Sequence, residues 1–196
     1  MPGNDIKLTY FNLAGRAELS RLILAYAGAK YEDCRITGEQ WKELKPKTSC
    51  GQLPTLCWNG VEIAQSMTIA RFLAKEFHIA GKCTLEQAKA DMVVDCVSDL
   101  FAAMLKHFFE KDEKLKAEYK KKFDEETLPN GMAVLEKLLC ANGGKYFAGD
   151  SVSFDCFLTH LKVSIRIIWY TIFNDFQTSI FVHIFVTKSH KCILRS

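Results

Sequence analysis

What the 196-residue sequence has little of narrows it first. It has no CxxC pair: its eight cysteines stand at positions 34, 50, 57, 83, 96, 140, 156 and 192, and the nearest two are seven residues apart. That spacing argues against a zinc cluster and a dithiol redox centre, and leaves free thiols suited to a reducing compartment. It also has no concentrated basic surplus. The net charge is +3, and the densest lysine run, EKDEKLKAEYKKKFDEE at 110–126, is interleaved with acids, so a nucleic-acid-binding face is not expected. On a helix the run offers Glu110 with Lys114, Asp112 with Lys116 and Glu118 with Lys122 as i,i+4 pairs, acid first, which is the favourable order on a solvated face. The opening MPGNDIKLTYF lacks the basic-then-apolar pattern of a secretory signal. No apolar run is long enough to span a bilayer, because Arg166, Asn174 and Asp175 interrupt the apolar stretch after residue 162. Cys192 is fifth from the end rather than fourth, so CILRS is not a prenylation box. The expectation is a cytoplasmic protein without a membrane span.

What is present suits a folded protein. The chain is 48% hydrophobic and 25% charged, and its length allows one large core or two small ones at about 100 to 150 residues per domain. The first eighty residues alternate strand and helix signals. IKLTYF (6–11) reads as a strand. AGRAELSRLILAYAG (14–28) has apolar residues at helical spacing until Gly28 stops it, and YEDCRI (31–36) reads as a second strand. A β-α-β unit favours parallel pairing with a right-handed crossover. EQWKELK is a short helix. GQLPTLCW and VEIA read as two strands joined by a tight Asn59 and Gly60 turn, and a helix follows at 66–77 with Ser66 at its N-cap.

Beyond the connection at 78–84 the pattern turns wholly helical. Met92, Val93, Cys96, Val97, Leu100, Phe101, Met104 and Phe108 share one broad face of a long helix. A second helix is expected from about residue 114 to 139, with Leu128, Met132, Leu135, Leu138 and Leu139 on its buried side. The fold class is therefore α/β followed by all-α.

Five separated stretches, KLTYFN..GRAE..R, QWKELK, GQLP, QSMTIARFLAK and VVDCVSDL, in this order and spacing, resemble a sigma-class glutathione transferase, the group that includes haematopoietic prostaglandin D synthases and cephalopod S-crystallins. The resemblance covers roughly residues 6–155. It implies a thioredoxin-like glutathione-binding domain at 4–81, a helical domain at 83–160, an atypical tail at 161–196, and a homodimer. It also implies conjugation of reduced glutathione to a small hydrophobic electrophile, with glutathione as co-substrate and no further cofactor.

The same resemblance assigns roles residue by residue. Tyr10 matches the catalytic tyrosine, whose O–H donates to the glutathione sulfur and favours the thiolate; on spacing alone it reads as a strand tyrosine packing its ring. Arg16 would lie near the sulfur. A helix start is otherwise a poor place for a cation, because the dipole there is positive. Pro54 would be cis, leaving the Leu53 backbone to pair with the cysteinyl part of the tripeptide like an added strand, with Gly51 and Gln52 completing the edge. Gln65 and Ser66, at a helix N-terminus, would take the γ-glutamyl carboxylate. Trp41 and Lys45, i,i+4 on the short helix, would hold the glycyl end.

Asp91, Asp95 and Asp99 stand at i, i+4 and i+8 on the long helix. Asp99 matches an aspartate that reaches across the dimer to the glutathione amino group. Some prostaglandin-synthase-like members bind a divalent cation here, but Ser98 replaces one aspartate of that cluster, so no metal site is assigned. Lys106 lies near the position of the synthases' pocket tryptophan.

The pattern breaks late in the chain. In GDSVSFDCF, Asp155 follows Ser153 by two residues and Cys156 takes the position expected of an aspartate cap. From about residue 162 the chain loses helical period, and SIFVHIFV alternates like a strand. We expect an altered ending that replaces the final helices of the family. An inactive splice form or a crystallin-like glutathione-binding protein is then the rival to a transferase, with a prostaglandin D isomerase as a further alternative.

Overall fold

The computed structural model describes residues 5–156. The chain divides into two compact units, Met1–Ala80 and Gly81–Ser196. The atypical tail, with the strand-like SIFVHIFV, the charged interruptions at 166–175 and Cys192, lies outside the described residues.

In the first unit, β1 (Ile6–Phe11), β2 (Glu32–Ile36), β3 (Thr55–Trp58) and β4 (Val61–Ala64) form one sheet in the order β2-β1-β3-β4. β1 is parallel to β2, with Tyr10 opposite Arg35, and antiparallel to β3, with Leu8 opposite Leu56. This is the expected mixed sheet. The β3–β4 hairpin turns through Asn59 at φ 51° and Gly60 at φ 83°, the left-handed pair that a two-residue turn requires. Helices α1 (Glu18–Tyr26) and α3 (Ser66–Glu76) pack on each other, and α3 also packs on β3 and β4. Leu8, Leu19, Ile23, Leu24, Leu56, Ile69 and Leu73 are fully buried. Each contributes about 1.5 to 3 kcal/mol by leaving water, so this layer holds the unit together. Helix α2 (Gly38–Leu44) buries no residue and is fixed at its entry by a capping box, in which Thr37 accepts from the Gln40 N–H and Gln40 accepts from the Thr37 N–H.

Several boundaries differ from expectation, three of them near the proposed site residues. Helix α1 begins at Glu18 rather than residue 14, because the chain after β1 is taken up by turns: Leu13 N–H donates to Phe11 O and Glu18 N–H to Gly15 O. β3 begins at Thr55, so Gly51 to Pro54 form a bend ahead of the strand. Ser66 is not the N-cap. It is the first helical residue, and Gln65 holds the cap position at φ 70°, with no capping bond from its side chain.

In the second unit, α4 (Thr84–Phe108) is followed by α5 (Glu113–Lys122), a π-helical turn (Phe123–Thr127) and α6 (Leu128–Ala141). The single helix expected near 114–139 is thus two helices run together through a π turn, which absorbs an extra residue without ending the helix. Gly131 on α6 meets Leu100 on α4 so closely that a Cβ there would overlap the leucine. The buried stripe of α4 is Ala90, Val93, Val94 and Val97, whereas Met92 and Phe108 are exposed. Their apolar character marked the face too broadly. On the following helices Phe123, Leu135 and Leu139 are buried, and Leu128, Met132 and Leu138 are half-buried.

Among the described residues, Lys116 pairs with Glu113 and Lys120 with Asp124 on this surface, rather than in the pairs read from spacing. Glu110 and Asp112 precede the helix. Glu110 accepts from the Lys111 and Asp112 N–H groups, and Asp112 caps α5 through the Lys114 and Leu115 N–H groups. Near the end of the described chain the Ser153 hydroxyl donates to the buried Asp155 carboxylate, and Cys156 N–H donates to Ser153 O. Burial pushes the Asp155 pKa up, against the bonds from Ser153 and the backbone N–H groups.

Candidate functional site

Tyr10 is the last buried residue of β1, where the alternation of the strand turns its ring toward the core and its oxygen toward the corner with α1. Its oxygen accepts the Arg16 backbone N–H at 3.3 Å. Arg16 therefore meets the tyrosine through its main chain, and its side chain is exposed. The close approach depends on Gly15. A Cβ at that residue would stand 2.9 Å from the Tyr10 oxygen and 3.0 Å from Leu13 Cδ1.

Beneath this corner lies a buried cation. Arg21 donates from Nη1 to Leu13 O at 3.1 Å and to Glu18 at 2.9 Å, and from Nε to Asp33 at 3.2 Å. Its guanidinium carbon is 5.9 Å from the centroid of the Tyr10 ring. Burial pulls its pKa down, but the bonds to Glu18 and Asp33 outweigh that, and Arg21 stands above its ordinary value as a permanent cation. Arg21 belongs to the GRAE..R stretch, yet spacing gave it no role. The legible signal was Glu18 three residues before it on the same helix face.

The aromatic ring of Phe11 links Tyr10 to Trp41. Its centroid is 5.6 Å from that of Tyr10 and 6.3 Å from that of Trp41, both edge-on. Lys45 closes α2, with its backbone N–H on Trp41 O, and its Cε lies 3.9 Å from where a Gly51 Cβ would stand. Gly51 has φ 59°, and the Leu53–Pro54 bond is cis. The Gln65 side-chain amide donates to the Gln52 side-chain oxygen at 3.4 Å. Tyr10, Arg16, Trp41, Lys45, Gly51, Gln52, Leu53, Gln65 and Ser66 thus all belong to the first unit, where contacts join Tyr10 through Phe11 and Trp41 to Lys45 and Gly51, and join Gln52 to Gln65. Asp99 belongs to the second unit, exposed on α4.

Among the described residues, no group of three or more His, Cys, Asp and Glu side chains is placed to hold a metal ion, and no helix is long and apolar enough to cross a membrane. Lys106 sets its ammonium 4.2 Å from the centre of the Tyr119 ring.

A mixed four-stranded sheet with a cis-proline bend, followed by a helical unit, defines a thioredoxin-like domain joined to an all-helical one. Comparison with known proteins agrees with that class. The glutathione S-transferase N-terminal domain model matches residues 6–75, and the C-terminal domain model matches residues 98–162. Hematopoietic prostaglandin D synthase of Gallus gallus is 43% identical over 150 residues, 76% of this chain and 73% of that one. Glutathione S-transferase 1 of Ascaris suum is 39% identical over 179 residues, 87% of this chain and 82% of that one. The solved sigma class GST of Fasciola hepatica matches with a TM-score of 0.80 at 25% identity, covering 98% of this chain and 96% of that one. The chain belongs to the glutathione S-transferase family, in its sigma-like group.

Proposed function

We propose that this protein conjugates reduced glutathione to small hydrophobic electrophiles, with glutathione as co-substrate and no other cofactor. The observation that carries the reading is the bond from Arg16 N–H to the Tyr10 oxygen at 3.3 Å. It uses the acceptor side of the hydroxyl and leaves the O–H to donate outward, to the glutathione sulfur. A donor on the phenol oxygen also polarises the O–H and strengthens its own donation.

The magnitudes agree. A free thiol has a pKa of about 8.5, and lowering it by about two units requires about 2.7 kcal/mol. A hydrogen bond to a charged group supplies about 1.5 to 3 kcal/mol. The nucleophile belongs to the substrate, so the protein supplies position and electrostatics. In this reading Leu53 pairs by its backbone with the cysteinyl residue, and Gly51 and Gln52 continue that edge. Gln65 and Ser66 receive the γ-glutamyl carboxylate at the start of α3, while Trp41 and Lys45 hold the glycyl end. Asp99 acts on the glutathione of the second copy in a homodimer, and the protein works in the cytoplasm.

Tyr10→Phe tests the mechanism. Conjugation of an aryl halide is expected to slow by one to two orders of magnitude, or about 1.4 to 2.7 kcal/mol. An unchanged rate removes Tyr10 from the chemistry. Retention of the wild type on a glutathione resin without turnover selects the non-catalytic, crystallin-like reading. Turnover of prostaglandin H without aryl-halide conjugation selects the isomerase, the reading that the name of the Gallus gallus prostaglandin D synthase suggests.

A further inference from the structure

Glu62 stands on β4, an edge strand, with its side chain exposed. One of its oxygens accepts two bonds from a single residue across 13 positions of chain: the Ser49 backbone N–H at 2.7 Å and the Ser49 hydroxyl. Ser49 sits in the bend that leads to Gly51, Gln52 and Leu53. The inner side of that bend is already held by Thr48, which is buried and donates its hydroxyl to Lys45 O at 2.9 Å, and by Gly51 N–H on Thr48 O at 3.4 Å. Its outer side is held by Glu62.

The strand that carries Glu62 ends at Ala64, and the next residue, Gln65, enters α3 at φ 70°. Among the described residues, two side-chain ties cross from the bend to this segment. One is the Gln65 to Gln52 bond, neutral and 3.4 Å long. The other is the Glu62 pair, short and charge-assisted, the stronger kind by roughly twofold.

We propose that Glu62 is a positioning residue for glutathione, setting the separation between the Gly51, Gln52 and Leu53 edge and the start of α3 at Gln65 and Ser66. The inference rests on the glutathione reading above, which gives those two segments to neighbouring parts of the tripeptide. Among the described residues, neither Glu62 nor Ser49 shares a hydrogen bond, ion pair or ring contact with Tyr10. Loss of the tie is thus expected in glutathione affinity and not in the chemical step.

The test compares wild type, Glu62→Ala, Glu62→Gln and Ser49→Ala by calorimetric titration with reduced glutathione, steady-state conjugation kinetics and urea midpoints. Glu62→Ala is expected to raise the glutathione Kd about three- to tenfold while kcat at saturating glutathione and the electrophile KM stay within about twofold. Glu62→Gln, whose amide oxygen still accepts from the Ser49 N–H, falls between wild type and Glu62→Ala, and Ser49→Ala gives the smaller rise of a lost hydroxyl bond. Unchanged or tighter glutathione binding in Glu62→Gln and Glu62→Ala, with the wild type binding, overturns the inference and leaves the function standing. So does a shift confined to the urea midpoint. A wild type that binds no glutathione overturns both. If Glu62→Ala does not fold, the Kd values of Glu62→Gln and Ser49→Ala decide the matter by the same criteria.

Discussion

The two ends of the proposed glutathione site are built differently. At the Tyr10 end the backbone is pinned from beneath by a guanidinium whose side chain is 7% exposed, with Glu18 and Asp33 and the Leu13 carbonyl around it. At the Gly51 to Ser66 end the ties are exposed: the Ser49 bonds to Glu62 and the Gln65 bond to Gln52. The difference follows from what each end must do. A hydroxyl that stabilises developing charge has to be held to a fraction of an ångström, whereas an edge that receives a flexible tripeptide by its backbone tolerates adjustment. On the proposed reading, the buried ties are concentrated where the sulfur would react, and the substrate's ordering would supply the rest.

Three substitutions test this contrast. The largest effect is expected from Arg21→Met, which leaves Glu18 and Asp33 without their buried cation. Because those carboxylates are about a quarter exposed, the loss is set at about 2 to 4 kcal/mol, below the full range for a broken buried pair, and is read from urea denaturation. A midpoint equal to wild type would mean that the Tyr10 corner is not held from beneath at all. Next, Gly15→Ala brings a methyl to 2.9 Å from the Tyr10 oxygen, so the hydroxyl or the turn must move. We expect conjugation to slow about a hundredfold with little change in glutathione affinity, as measured by stopped-flow and calorimetry. Equal losses in both would place Gly15 at the recognition end. The smallest effect belongs to Lys45→Met at the exposed end. It should weaken glutathione binding by about three- to fivefold at low salt, and the gap to wild type should narrow as ionic strength rises, because an exposed charge pair is screened.

The sheet was legible because its signals are local. β1 begins and ends where its alternation does, and the Asn59 and Gly60 turn carries its own backbone requirement. The residues assigned to the proposed glutathione site stand out in the sequence as types in a motif. What spacing could not give was how they act. Arg16 meets Tyr10 through its main chain, which a sequence does not display. The N-cap moved from Ser66 to Gln65 because the turn after β4 demands a positive φ, which a pattern of side chains does not encode. Glu62 and Ser49 are 13 residues apart, and neither is remarkable until the hairpin folds β4 back beside the bend. In the second unit the exposed Met92 and Phe108 show that an apolar stripe states which residues prefer burial, while the number of neighbours decides which obtain it.

The start of β1 has a practical use. Asp5 is clasped by Asn59 at the hairpin turn, donating its N–H to the asparagine side chain at 2.9 Å and accepting the asparagine N–H at 2.8 Å. That clasp is five residues from Tyr10, or about 17 Å along an extended strand. A purification tag or a fluorescent fusion joined ahead of Asp5 is therefore attached a full strand's length from the Tyr10 corner.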